Sequence, residues 1–192
     1  LEELGVYPGT RAVIAQSRRK IHEVGDSYAA FFFDNRAAIA VALLAAKELK
    51  EKKIKPPGDV YLVASTMEEI GGIGASYASR TLAGDINIAI DVGPVAEEYQ
   101  TKMSADPIIV YKDRVCVYDK TLCDHLCKLG KSHGIATQRA IFSSYGSDAS
   151  LTKLYGLTGK AALIAIPTEN THGSEMIHKE GVQQSSKLLV RF

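Results

Sequence analysis

The stretch FFFDNRAAIAVALLAAKELKEKK, residues 31–53, decides how the rest of the chain is read. Phe31 to Phe33 is a short apolar run that ends at Asp34. From Asn35 to Lys53, Ala, Ile, Val and Leu recur at helical spacing until lysines crowd the end and Pro56-Pro57-Gly58 stops the pattern. A strand feeding directly into a helix is the repeating unit of an α/β sheet. Downstream the alternation continues. DVYLVAS (59–65) has the unbroken apolar character of a buried strand, Gly72 to Ser79 suits a short helix, and INIAIDV (86–92) reads as another interior strand. Asp119 to Lys131 is then expected as helix, Thr137 to Phe142 as strand, Asp148 to Tyr155 as helix, Ala161 to Ile166 as strand and Glu180 to Arg191 as a closing helix. The pattern predicts an α/β fold of three αβα layers around a mostly parallel mixed sheet covered on both faces.

Residues 1–28 read differently. Tyr7-Pro8-Gly9 marks a turn, Arg11 to Gln16 a strand, and no helical pattern accompanies them. They look like the end of another unit, with a catalytic-type α/β domain expected over 29–192, and the absence of an initiating methionine suggests a piece of something longer. At 192 residues and 46% hydrophobic, the chain can bury a substantial core. Lys+Arg 23 against Asp+Glu 22 leaves a net charge of +1, which gives no field for gripping nucleic acid or an anionic membrane. No run approaches the roughly 18 apolar residues of a membrane span, and LEELGVYPGTR lacks the layout of a secretion signal. Cys116, Cys123 and Cys127 are an odd count in a chain large enough to fold without staples, so reduced thiols and a cytoplasmic setting are expected.

The polar residues with chemical potential stand where the strands stop, the place where open α/β sheets bind their ligands. They are Asp34 after Phe33, Glu68 and Glu69 after Met67, Asp91 after Ile90, and His172 shortly after Ile166-Pro167. Four carboxylates gathered without compensating positive charge are costly, and a bound cation removes that cost. Asp, Glu and His without thiolate suit Zn²⁺, Co²⁺ or Mn²⁺ in a catalytic site, since structural zinc usually recruits cysteine. Adjacent Glu68 and Glu69 allow two duties, one carboxylate holding the metal and the other taking a proton from water.

The segments FDNR (33–36), MEEIGGIGA (67–75), IAIDVGP (88–94), YGSDAS (145–150) and PTENTHGSE (167–175) resemble, in order and spacing, the M42 family of metalloaminopeptidases. The resemblance covers nearly the whole chain. It implies a zinc-exopeptidase type of fold, phosphorylase/hydrolase-like, and an aminopeptidase that hydrolyses the N-terminal residue of short peptides. It further implies that Asp34 bridges two divalent ions, that Glu69 and His172 complete one site, that Asp91 belongs to the other, and that Glu68 is the general base acting with a metal-bridging hydroxide. Asp148 falls on a family motif beside the cleft and is expected to touch substrate or support the ligands. An unusual peptide after Asp34, such as a cis one, is also implied, as is self-association, since complete members form dodecamers. Family members carry an additional His-x-Asp ligand motif upstream of an inserted β-domain. No His-x-Asp occurs here, so the second metal site is expected to be incomplete, and residues 1–28 resemble only the end of that insert.

Blander duties compete for the same residues. Asp34 could cap the helix that follows it, Asp91 could form a turn before Gly93-Pro94, and Glu68-Glu69 could be a solvated strand end. His22, His125, His133 and His178 lie outside the motifs. Cys123, His125 and Cys127 look like a metal cluster on paper, but on a helix His125 points away from the face that the two cysteines share, so they are expected to be core thiols. Gly71, Gly72 and Gly74 lack the Lys-Ser/Thr of a phosphate loop and suit a turn. Lys47, Lys50, Lys52, Lys53 and Lys55 crowd a helix end where cations are favourable. Two other functions stay open: a catalytically impaired assembly protein that lacks one ligand, and a glycoside hydrolase. The second is disfavoured because a glycosidase pair flanks its bond from two sides about 5 to 9.5 Å apart, unlike adjacent Glu68 and Glu69.

Overall fold

The computed structural model describes residues 1–192. Seven strands form one mixed sheet: β1 (His22–Val24), β2 (Ser27–Phe31), β3 (Ile86–Pro94), β4 (Ile108–Lys112), β5 (Gln138–Ile141), β6 (Lys160–Glu169) and β7 (Ser174–His178). Five helices accompany them: α1 (Phe33–Glu51), α2 (Ile73–Thr81), α3 (Lys120–Ser132), α4 (Asp148–Leu154) and α5 (Gly181–Arg191). β6 is the hub. One edge pairs in parallel with β3 along its length, from Ile86↔Lys160 to Pro94↔Thr168. The other edge pairs antiparallel with β4 at Leu163–Ala165 and with β7 at Thr168–Glu169. β4 continues parallel to β5, and β7 continues antiparallel to β2 and then β1.

The expected three-layer α/β class holds, with a correction in its balance. Four of the six pairings are antiparallel, because β6 and β7 form a hairpin and β2 returns along β7. Helix–strand alternation in sequence identifies the layers but not the direction of short edge strands. α1 packs beside α5 and against β3, α5 touches α3, and α2 and α4 pack together with α4 against β3 and β6. Two apolar clusters result. The larger joins β4 and β6 to Leu122, Cys123, Leu126 and Cys127 of α3. The smaller holds Phe33, Ala37 and Val41 of α1 against Ala30, Ile166 and Ile177. The two thiols of α3 are thus core residues, burial pushes Cys123 up to about 12, and His125 stacks edge-on against Phe192 instead of joining them.

Two expected strands are absent. Residues 11–15 form no ladder, and the Tyr7 turn closes as expected through Thr10 N–H donating to the Tyr7 carbonyl at 2.9 Å. DVYLVAS (59–65) also pairs with nothing: none of its residues makes a backbone–backbone hydrogen bond. A strand requires a neighbour to satisfy its N–H and C=O groups, and no segment of this chain lies in register with it. β2 crosses the expected boundary at residue 28, so Ser27–Phe31 belongs to the same sheet as the rest of the α/β unit.

Candidate metal centre

Asp34 stands at the junction of β2 and α1, with φ −74° and ψ 106°, and its side chain makes no capping bond, so the helix-cap alternative is set aside. The Asp34–Asn35 peptide is cis. Asn35 is tied to β3 through its Nδ2, which donates to the Ile90 carbonyl at 3.1 Å. His172 comes from the β6–β7 connection and Glu69 from the turn that precedes α2. The His172 Nε2 lies 3.2 Å from Asp34 Oδ2 and 3.4 Å from Glu69 Oε2. One ligand atom from each of the three residues falls within 4.8 Å of the others, a spacing that fits a single divalent ion. Asp34 is the enclosed member, its side chain 16% exposed, while those of Glu69 and His172 are 59% and 65% exposed and face an open side.

The loops that carry these residues adopt backbone conformations that L side chains rarely take. Phe32, Met67, Asn170 and His172 all have positive φ, between 56° and 65°. Each such residue costs on the order of 1 to 3 kcal/mol and persists only where surrounding structure imposes it. They flank all three loops that meet at the centre, and nowhere else is the feature so concentrated. The Glu68-Glu69 turn is closed by Gly71 and Gly72, whose N–H groups both donate to the Glu68 carbonyl at 3.0 Å. Gly72 has φ +62°, and a Cβ there would meet Leu151 Cδ1 at 2.8 Å and Asp148 Oδ1 at 3.3 Å. Only glycine allows this turn to lie so close to α4.

Electrostatics separate the acids. Burial, then the charges of Glu69 and Glu175, push Asp34 up to about 6, against which His172 pulls it down. Burial, followed by the carboxylates of Asp148, Glu69 and Asp34, pushes Glu68 up to about 7. Asp91 is driven well above the ordinary range by burial and by Asp34, although the Val92 N–H donates to its Oδ1 at 2.8 Å. Asp148 is raised by burial while the Ser65 hydroxyl, donating to its Oδ2, opposes the rise. Crowded acids held off their normal ionisation are the state that a cation relieves. The donor set therefore fits a divalent metal of the Zn²⁺, Co²⁺ or Mn²⁺ kind. The sequence-predicted residues are thus gathered unequally. Asp34, Glu69 and His172 meet, the charges of Asp148 and Asp34 reach Glu68, and Asp91, within β3, feels the charge of Asp34 from outside the three-residue cluster.

One residue of the centre escaped sequence reasoning. Glu175 is 1% exposed, and its carboxylate accepts from the Asp34 N–H at 3.0 Å and from the His172 N–H at 3.1 Å. It fixes the backbone of two of the three clustered residues at once. Its position three residues after His172, inside PTENTHGSE, was the available signal, but nothing in the sequence says that a glutamate there turns inward.

A family model described as M42 glutamyl aminopeptidase matches residues 1–188. A curated protein of Acetivibrio thermocellus, provisionally named an aminopeptidase, is 30% identical over 172 residues, which is 86% of this chain and 51% of the relative. Aminopeptidase APDkam598 from the archaeon Desulfurococcus kamchatkensis superposes with TM-score 0.83 at 27% identity, over 91% of this chain and 51% of that one. The Pyrococcus horikoshii TET1 peptidase, whose structure is described as assembling into a tetrahedron or a large octahedral shell, superposes with TM-score 0.80 at 21% identity over 90% of this chain and 52% of that one. The chain spans about half the length of the curated relatives it matches.

Proposed function

The chain belongs to the M42 glutamyl aminopeptidase family, and from that premise we propose that it supplies the catalytic centre of a metal-dependent aminopeptidase that removes the N-terminal residue of short peptides. The observation that carries this reading is the meeting of Asp34, Glu69 and His172 within 4.8 Å, with Glu68 next to Glu69 in the chain. Asp34, Glu69 and His172 would hold one divalent ion, and Asp34 with Asp91 would face a second. When bound, such ions polarise a peptide carbonyl and acidify water. Glu68 performs the proton traffic. Burial and the neighbouring carboxylates push Glu68 up in the metal-free chain, and its place beside the three-residue cluster suits a group that takes a proton from the attacking water and hands it to the departing amine. Glu69, its neighbour, faces His172 instead, so the two carboxylates divide binding from catalysis. Asp148, whose charge raises Glu68 and whose carboxylate accepts from the Ser65 hydroxyl, is read as touching substrate or supporting the ligands. Glu175 holds Asp34 and His172 in place.

Self-association is part of the reading, supported by the shell-forming TET1 neighbour, and so is a cytoplasmic setting, supported by three unpaired cysteines. No helix is long and apolar enough to cross a membrane. The division into the end of an inserted unit, 1–28, and a catalytic unit, 29–192, remains part of the reading in outline, although β2 runs across its bound and joins the catalytic sheet.

Turnover of aminoacyl p-nitroanilides and the visible absorption of bound Co²⁺, measured on the same samples, test the proposal. Glu68→Gln should keep the Co²⁺ spectrum and lose turnover by about 10²- to 10⁴-fold, the range for a general base, while Asp34→Ala should lose both. Equal turnover in Glu68→Gln and the unmodified chain overturns the base assignment. A chain that binds Co²⁺ and turns over nothing reduces the proposal to metal binding.

A further inference from the structure

Just before Asp34 the surface changes sign. Six carboxylates, those of Asp34, Glu68, Glu69, Asp91, Asp148 and Glu175, influence one another at the centre described above. A cleft of about 360 Å³ next to it has no Asp or Glu in its lining. Arg18, Lys20, His22 and Ser17 line it together with Phe31 and Ser174, a cross-strand pair of β2 and β7. Arg18 and Lys20 are exposed and take part in none of the ion pairs of the chain, so their charge is free for a ligand. Arg19 ties this segment to the corner between β2 and α1: its Nε donates to the Ile14 carbonyl at 2.7 Å, and its guanidinium lies 5.8 Å from the centre of the Phe32 ring. Arg36 adds a second guanidinium at that corner, donating to the Phe31 and Phe32 carbonyls. Covalent geometry limits how far apart the two regions are. Phe31 precedes Asp34 by three residues and Ser174 follows His172 by two, so the cleft lies within about 11 Å of the acidic centre along one connection and about 7 Å along the other.

We propose that this basic cleft is a subsite for the C-terminal carboxylate of a short peptide whose N-terminal ammonium is held at the acidic centre. This deepens the aminopeptidase reading, on which it rests, by naming the substrate class as zwitterionic peptides of about two to four residues. Such a peptide carries opposite charges at its two ends, and the protein offers the complement of each, acids at one place and Arg18 with Lys20 at the other. The lengths agree: an extended tripeptide spans about 10 Å, close to the reach from Asp34 back to Phe31. The donor types agree as well. The planar fork of Arg18 suits a carboxylate through two parallel N–H groups, and Lys20 supplies a compact positive charge. An acidic side chain has the same chemistry, but its place in a peptide varies with sequence. The terminal carboxylate stands at a fixed distance from the scissile bond in every peptide of a given length, so a fixed cleft selects for it.

Calorimetric titration of the Zn²⁺-supplemented Glu68→Gln chain, which reads binding without turnover, tests the subsite with Ala-Ala-Ala, its C-terminal amide and Ala-Ala-Glu amide. The free acid should bind about 3- to 10-fold more tightly than its amide, the size of two solvent-exposed charge contacts. Adding Arg18→Gln and Lys20→Gln together should erase that preference, and because both side chains are exposed the fold is kept. Equal or undetectable binding of the acid and the amide overturns the proposal, as does a preference that survives the double substitution. So does Ala-Ala-Glu amide binding as tightly as Ala-Ala-Ala, since the cleft then reads an acidic side chain. Hydrolysis of Ala-Ala-Ala by the unmodified chain separates this proposal from the reading beneath it. Preference for the free acid without hydrolysis keeps the subsite and sinks the aminopeptidase assignment; hydrolysis without the preference does the reverse.

Discussion

β6 and residues 59–65 are nearly the same kind of sequence, ALIAIP against VYLVAS, and they meet opposite fates. β6 is bonded along both edges, and Leu163 to Ile166 are at most 2% exposed. Residues 60–63 are about half exposed and bonded along neither edge. An apolar run is thus only an offer of a strand, and neighbours complete it. The difference passes into the candidate centre. His172 hangs from the β6–β7 hairpin and is braced by Glu175, while Glu68 and Glu69 hang from the unpaired segment, braced by the turn through Gly72, by Ser65 on Asp148 and by the His172 contact.

The contrast can be broken in four places. Ile164→Ala should have the largest effect, a loss of about 2 to 5 kcal/mol in a urea titration, because it opens a cavity at a fully buried site. Glu175→Gln should come next. One of the two N–H groups it serves loses its acceptor, so stability should fall by about 1 to 3 kcal/mol and Co²⁺ affinity by about 10- to 100-fold; an unchanged affinity in a calorimetric titration would show that the hairpin does not hold His172 in place. The third effect is pH dependence. Folded Asp34 and Glu68 titrate near 6 and 7 against ordinary values of 3.8 and 4.5, so between about pH 4 and 7 the folded chain holds more protons than the unfolded one. Stability must then fall as pH rises through that window. The melting temperature in EDTA should be higher at pH 5 than at pH 7, and added Zn²⁺ should remove or reverse the slope; a melting temperature that rises with pH in EDTA would contradict the crowding of these acids. Smallest of all, Leu62→Ala should cost within about 0.5 kcal/mol in the same urea titration, since its side chain gains little from folding in this chain. A loss matching that of Ile164→Ala would mean that residues 59–65 are as buried as β6 and would erase the comparison.

Much of the fold was legible because periodicity reports burial. The helical spacing of Ala37, Ala38, Val41 and Ala45 matches their burial on α1, and the apolar run at 161–166 matches β6. The five helices fall within a few residues of their expected bounds. β1, β4 and β7 are not among the strands expected from the sequence, β1 being only three residues long. Ile108–Lys112 is short and follows an irregular loop, and Ser174–His178 alternates polar and apolar residues immediately after the His172 motif, so neither has enough length to stand out. At the centre, Asp34, Glu68, Glu69, Asp91, Asp148 and His172 could be named because motif order survives in sequence. Glu175 could not, because its role depends on which way a buried carboxylate turns.

The sequence by itself determined which segments are apolar, which glycines permit the turn after Glu69, and which acids and histidine lie in the ordered motifs, since these follow from residue type and spacing. Only the tertiary structure decided that Asp34, Glu69 and His172 meet while Asp91 stands outside their cluster, and that of two similar apolar runs one is a core strand and the other a bare edge. Spacing along the chain fixes local conformation. Proximity, burial and pKa depend on groups distant in the chain, as Glu175 is 141 positions from Asp34, and backbone hydrogen bonding depends on whether a second strand is present to provide it.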